Sequence, residues 1–255
     1  MSQPSSVTLR HAALAAVVAA VLATAACTVN GSPVASPAQA GAAHSPVPQS
    51  SSTDSGTTAP IAGGPSVARP DGSIRVAAAP DGTTPKVVIT LIEDPSCPYC
   101  KAFEAQFGAL INSYQSNPQV AVDRITVTFL DRGSPNQYSS RAANASACVA
   151  EDSGPRDRFA SWLRFRIAMY QAQPDEGSAG PTDDALATSA VQTGTAGAAD
   201  CIRNHRYANW VTAVNDQTTG LPDFKGTPTV RINGTDADVD SPDALRAQIQ
   251  QALAR

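Results

Sequence analysis

Two cysteines flank a Pro-Tyr dipeptide in the stretch IEDPSCPYC at 92–100, and they are the residues of this 255-residue chain best suited to chemistry. A disulfide exchanger needs one thiolate that forms easily and a second thiol close enough to resolve a mixed disulfide. Cys97 and Cys100 meet both needs if they open a helix. One turn then brings the sulfurs within bonding reach, and the free N–H groups and dipole of the helix end stabilise charge on the first sulfur. Pro98 falls at the first helical position, where proline is tolerated. Phe103, Phe107, Leu110, Ile111 and Tyr114 follow at helical spacing. Cys97 is then the exposed nucleophile at the cap and Cys100 the resolving thiol. Two other readings are half of a zinc site and an inert disulfide. Zinc needs further ligands at finger-like or ribbon-like spacing. The three histidines are His11, His44 and His205, and neither Cys148 nor Cys201 has a second cysteine close by. The same scarcity leaves a Cys–His nucleophile without a base. No metal and no cofactor is expected, and the inert disulfide stays open at this stage.

The elements that would position this pair are legible around it. KVVITLI (86–92) is an almost unbroken apolar run rich in β-branched residues, the signature of a strand buried on both faces, and it leads straight into the cysteines. SIRVAA (73–78) is a short strand upstream, followed by a PDGTTP turn. NPQ (117–119) ends the helix, and VAVDRITVTFL (120–130) is a second strand with Val120, Val122, Ile125, Val127 and Phe129 pointing inward. Residues 131–220 are Ala-rich, with helices expected at 136–151, 156–172, 182–192 and 197–217, broken by Gly and Pro. Strand signals then return in TPTVRI (227–232), an NG hairpin turn (233–234) and a short partner, DADV (236–239). Ser241 caps a last helix, with Pro242 at its first position and Leu245, Ile249 and Leu253 on one face. The class is α/β.

Bulk composition narrows the function. The formal net charge is −4 and no Lys/Arg cluster occurs, which argues against nucleic acid as a partner. All 13 aromatic residues lie between Tyr99 and Phe224, so the first third has little with which to build a core. It begins as an export signal: Arg10, then the uncharged run AALAAVVAAVLATAA (12–26), too short for a comfortable membrane span, then Cys27. Small residues before a cysteine resemble the lipobox of bacterial lipoproteins, with Thr24 where leucine is usual. The expectation is a signal peptide at 1–26 and a lipidated, Ser/Pro/Ala-rich tether at 27–72, with the chain exported and anchored to the outer face of the cytoplasmic membrane. Ordinary cleavage or an uncleaved anchor would also place it outside the cytoplasm. Without Cys27, four cysteines remain, an even number in an oxidising compartment.

A second signal lies far downstream in GTPTV (226–230), an X-Pro bond at the mouth of a strand. With the strand, CxxC and helix before it, and the hairpin and terminal helix after it, the chain resembles the DsbA-like thiol–disulfide oxidoreductases, in particular the exported forms of high-GC Gram-positive bacteria. The resemblance covers about residues 73–255. It implies a thioredoxin fold at 73–130 and 221–255, interrupted by an all-helical insertion at 131–220. It implies that Cys97 and Cys100, with Pro98 and Tyr99 between them, are the redox pair. It also implies that Pro228 is a cis-proline, preceded by Thr227, whose backbone pairs with an extended substrate. Exported cysteine-containing proteins would be the substrates. A membrane quinone-linked partner, DsbB-like or vitamin-K-epoxide-reductase-like, would be the reoxidant. Many relatives carry a buried acid six residues before the first cysteine, a position held here by Leu91. Glu93 and Asp94 come later; alternation would turn one of them inward, while the plainer expectation is a solvated strand end for both. Cys148 and Cys201 are expected to form a structural disulfide, the alternative being two buried free thiols. Three functions remain: an oxidant that introduces disulfides, a reductase or isomerase on the same fold, and an envelope binding lipoprotein without turnover. Pro98-Tyr99 is compatible with the second and lacks the histidine of the strongest oxidants. No dimer surface is visible, so a monomer is the default.

Overall fold

The computed structural model describes residues 59–80 and 82–255. The expected signal peptide, Cys27 and most of the expected tether lie outside the described residues. Among the described residues no helix is long and apolar enough to cross a membrane.

The frame is a five-stranded sheet: β1 (Ile74–Ala77), β2 (Val87–Glu93), β3 (Val120–Thr126), β4 (Thr229–Ile232) and β5 (Thr235–Asp236), in the order β1-β3-β2-β4-β5. β2 and β3 run parallel and the other pairs antiparallel. β2 has neighbours on both sides, which suits its apolar, β-branched sequence. Val87, Ile89 and Leu91 alternate onto one face. There they pack with Phe103, Phe107 and Ile111 of α1 (Pro98–Ser113) and with Leu245 and Ile249 of α7 (Pro242–Ala254). Ser241 accepts the N–H of Ala244 and caps α7, as its sequence predicts.

Between β3 and β4 the chain forms a helical block: α2 (Tyr138–Asp157), α3 (Ala160–Gln171), α4 (Asp183–Gln192), α5 (Ala199–Arg203) and α6 (Ala208–Thr219). α2 is its central helix. Ala142, Ala143, Ala145, Ala147 and Ala150 are buried, and such small side chains let the surrounding helices approach closely. Cys148 on α2 is bonded to Cys201 on α5, with 5.8 Å between the Cα atoms.

Five local expectations differ from the structure. The chain is already packed before residue 73: Ile61 and Val67 join the core of the helical block, Ser66 binds Glu151, and Gly64 lies so close under Trp210 that a Cβ would meet its ring at 2.4 Å. These are single anchors without a period, so composition alone reads as tether. β3 ends at Thr126, not at 130. Side-chain acceptors from distant segments, Asn215 for Thr128 N–H and Asp94 for Leu130 N–H, turn the chain into a 3₁₀ turn at Phe129–Gly133. Phe129 therefore leaves the strand and packs edge-on against Phe224, with ring centroids 5.7 Å apart. The expected break at Gly154-Pro155 lies inside the last turn of α2, and the chain reverses instead at Arg158 and Phe159, with φ of 54° and 67°. The helix expected at 197–217 is split around His205, where buried Asn144 binds the Ile202 carbonyl and the Tyr207 N–H exposed by the break. The DADV partner strand is also shorter than expected, because Gln248 of α7 takes the Asp238 N–H.

The Cys148–Cys201 bridge closes a long loop, with a sequence separation of 53. On the chain-entropy account such a crosslink is worth about 4 kcal/mol, less any strain it imposes. Cys148→Ala is expected to lower the thermal midpoint clearly, and scanning calorimetry of the two proteins checks it. An unchanged midpoint would show that the bridge has no structural role.

Candidate active site

The pair at 97–100 sits where β2 gives way to α1. Cys97 is the N-cap, with extended backbone (φ −76°, ψ 116°), and Pro98 opens the helix. Its Sγ accepts the N–H of Cys100 at 3.4 Å, so the first sulfur satisfies one of the free donors of the helix end. Thr227-Pro228 is a cis peptide. The Cys97 thiol donates to the Thr227 carbonyl at 3.3 Å, although the two residues lie 130 apart in the chain. The structure thus brings Cys97, Cys100 and Thr227 together with their adjoining Pro98 and Pro228. Both thiols are free. Cys97, expected to be exposed, is only 4% exposed, because the loop of Thr227 closes over it. Tyr99 is the outward residue of the motif, at 75% exposure.

The two thiols differ in acidity. Cys97 is brought down to about 6 by the hydrogen bond from the Cys100 thiol. The Thr227 hydroxyl and the N–H groups of Cys100 and Tyr99 add to this, while burial acts against it. Thr227 Oγ1 is buried and has no other partner among the described residues, so its hydroxyl is available to the thiolate. Cys100 is pushed up strongly by its own burial, then by its hydrogen bond to Cys97 and by the negative charge of Glu93. One sulfur is therefore ready to ionise at neutral pH and the other is held as a thiol.

Glu93 and Asp94 correct the expectation of a solvated strand end: they are 1% and 0% exposed. Period-2 alternation places Glu93 in line with Leu91, on the side of α1. Its Oε2 accepts from Arg124 of β3 at 3.1 Å and from Arg166 of α3 at 2.5 Å. Burial pushes Glu93 up, but the two guanidinium groups outweigh it and hold the carboxyl below its ordinary value. Asp94 turns into the loop. It accepts from Ser96 N–H, the Ser139 hydroxyl and Leu130 N–H, and burial raises it to about 6 despite these bonds. Leu91, which holds the position of the relatives' acid, is fully buried in the apolar core between sheet and helices.

Several residues of this site carry no motif. Arg124 had a visible signal, since with Asp123 it is one of two adjacent charges inside a largely apolar strand. Arg166 lies between Trp162 and Tyr170 on one helical stripe, and its guanidinium rests against both rings at 5.3 and 5.8 Å. Gln173, just past α3, donates to the carbonyls of Pro95 and Cys97 at 2.7 and 3.0 Å. Nothing local in the sequence announces Gln173 or Ser139. Cys148 and Cys201 are bonded to each other within the helical block and are not part of this site. Among the described residues no group of His, Cys, Asp and Glu is arranged to hold a metal.

Comparison with known proteins follows the same pattern. A family model described as Thioredoxin matches residues 83–251. The disulfide bond oxidoreductase DsbG of Mycobacterium tuberculosis, in its reduced form, is 33% identical, with a TM-score of 0.64 over 74% of this chain and 91% of that one. DsbA of the same organism, also reduced, is 32% identical, with a TM-score of 0.62 over 72% and 93%. Among curated sequences, the serine/threonine-protein kinase PknE of M. tuberculosis is 32% identical over 108 residues, 41% of this chain. The chain spans only 18% of that kinase's length.

The acidity of Cys97 has a measurable sign. An ordinary thiol titrates near 8.5. A native value lowered to about 6 adds stability to the reduced protein above the unfolded value, and that stability is lost as pH falls through about 6. Ultraviolet thiolate absorbance is expected to show one step near pH 6 in the reduced protein. In Cys100→Ala the step moves up, because the largest stabilising hydrogen bond is gone. A wild-type step near 8.5 would contradict this account of the site.

Proposed function

The chain belongs to the DsbA-like thiol–disulfide oxidoreductases of the thioredoxin superfamily, and from that premise we propose that Cys97 and Cys100 are its redox pair, working as an oxidant outside the cytoplasm. One observation carries the direction. The nucleophilic thiol is acidic and its partner is not, so charge on Cys97 stabilises the reduced enzyme. A stabilised reduced form makes the disulfide form the better oxidant.

A substrate thiolate attacks Cys97 of the oxidised enzyme, the Cys97–Cys100 bond breaks, and Cys100 leaves and is protonated. The N-terminal end of α1 and the Thr227 hydroxyl then support Cys97 as the leaving group when the substrate's second thiolate attacks. The product is a substrate disulfide and an enzyme dithiol. Exported proteins with reduced cysteines are the substrates in this reading, aligned as an extended segment against the backbone at Thr227 and Pro228. Two electrons per cycle must leave the dithiol, and a quinone-linked membrane partner is a suitable acceptor. Anchoring through a lipidated Cys27 would hold the domain beside such a partner.

Potential and trapping test the proposal together. Thioredoxin, with a thiol near 7, lies at about −270 mV, and DsbA, with one near 3.5, at about −120 mV. A thiol near 6 is expected to give a potential between them, above that of thioredoxin. Equilibration with glutathione buffers measures it, and a value at or below thioredoxin's would reverse the direction. In cells, Cys100→Ala is expected to accumulate mixed disulfides with exported proteins and Cys97→Ser none. Equal capture by both variants would exclude the pair from turnover.

A further inference from the structure

Behind Cys100 lies a set of buried charges that the exchange steps above do not use. Glu93 is bound to Arg124 and Arg166, and these three side chains are 1%, 1% and 2% exposed. Glu104 of α1 lies 3.6 Å from Arg124. Two carboxylates and two guanidinium groups face one another, so the cluster can keep its charges in a low-dielectric setting where a lone carboxylate would take up a proton. Arg166 cannot readily swing away, since the Trp162 and Tyr170 rings flank it one helical turn to either side. Glu93 Oε2 takes both arginines, and Glu93 Oε1 is buried without a hydrogen-bond partner among the described residues. Arg166 and Arg124 hold this carboxyl below its ordinary value, so Glu93 is a weak acceptor for the Cys100 proton. Its charge still reaches the Cys100 thiol, which is fully buried.

We propose that Glu93 is a positioning residue of the redox site: fixed as a buried anion by Arg124 and Arg166, it keeps Cys100 a thiol and so prolongs a mixed disulfide on Cys97 until the substrate's own second thiol resolves it. This rests on the reading of Cys97 and Cys100 as the redox pair.

A mixed disulfide has two exits. In the productive one, a second substrate thiolate attacks the substrate sulfur bound to Cys97. The substrate disulfide forms, the bond to Cys97 breaks, and Cys97 leaves as a thiolate with the electron pair. In the escape route, Cys100 gives its proton to solvent and its thiolate attacks Cys97 Sγ. The Cys97–Cys100 bond forms and the substrate leaves as a thiolate, so Cys100 is oxidised and the substrate sulfur reduced, with no net product. Only escape needs an ionised Cys100, and the Glu93 charge opposes that ionisation. The charged and titratable groups facing Glu93 are Arg124 from β3, Arg166 and Tyr170 from α3, and Glu104 and Cys100 from α1.

The test uses the full chain in reduced form and oxidised glutathione, with no added glutathione thiol, so that a mixed disulfide on Cys97 ends by escape. The rate of glutathione release is followed against pH. Each unit by which the Cys100 value falls raises its thiolate fraction tenfold, and the weaker nucleophile offsets part of this. Glu93→Gln is expected to speed release by about 3- to 10-fold at neutral pH and to shift the release profile to lower pH, with the Cys97 absorbance step unmoved. Arg166→Met should let Glu93 take up a proton and speed release only on the acid side, and it should add nothing in a Glu93→Gln background. Should Glu93→Gln fail to fold, the Arg166→Met profile decides: faster acid-side release supports the proposal and an unchanged profile overturns it. Release from a folded Glu93→Gln at the wild-type rate overturns it, and so does slower release, which would make Glu93 the acceptor of the Cys100 proton. If the wild-type protein forms no mixed disulfide on Cys97 at all, the underlying reading of the pair fails instead.

Discussion

A carboxylate at the buried end of the central strand must find positive charge, and the way Glu93 does so organises much of this protein. Arg124 comes from the neighbouring strand and Arg166 from the helical block, so one ion cluster ties β2, β3 and α3 together behind Cys100. Buried ion pairs are weak evidence for stability, because desolvation offsets most of the attraction. Their value lies in geometry: a missing partner would leave an uncompensated charge, so the arrangement tolerates few alternatives. The helical block is therefore more than a cover. Through Arg166 and Gln173 it reaches the strand end and the Cys97 carbonyl.

The asymmetry between the two thiols has a comparably simple origin. Cys97 stands at the open end of α1, among donors that favour its anion. Cys100, one turn in, is buried in the apolar core and feels the negative charge of Glu93. A single helical turn thus separates a site that stabilises negative charge from one that repels it. That difference makes two chemically identical side chains into one thiol that ionises readily and one that does not.

Asp94 does for the loop what Glu93 does for the strand end. It binds the Ser96 N–H, the Leu130 N–H and the Ser139 hydroxyl, and so fixes the CxxC approach to the turn after β3 and to the start of α2. Asp131 completes the joint by accepting the N–H groups of Ser139 and Ser140 at the α2 N-terminus, where the residue at the cap position supplies no bond. Two consecutive acids thus hold two different junctions. The Cys148–Cys201 bridge ties α2 to α5 independently of Cys97 and Cys100.

Much of this was legible in the chain itself. The apolar run of β2, the cap and proline of α1, the Asn-Gly turn and the Ser-Pro start of α7 are local patterns, each governed by residues within a few positions of one another. They were enough to place Cys97 and Cys100 at a helix start and to name a thioredoxin fold with a helical insertion. The class of chemistry followed, because CxxC at a helix N-terminus supplies both a favoured thiolate and a resolving thiol. The tertiary structure decided what distance in the chain conceals. Glu93 meets Arg124 and Arg166 across 31 and 73 residues, and Cys97 meets Thr227 across 130. Whether an acid at a strand end is solvated or buried depends on whether such partners arrive, and no local period records that. The same holds for the end of β3 and the break before α6, where side chains from elsewhere accept or supply the hydrogen bonds that the backbone gives up. Local periodicity determined the elements, and long-range pairing of charges and backbone groups determined the environment of the two sulfurs.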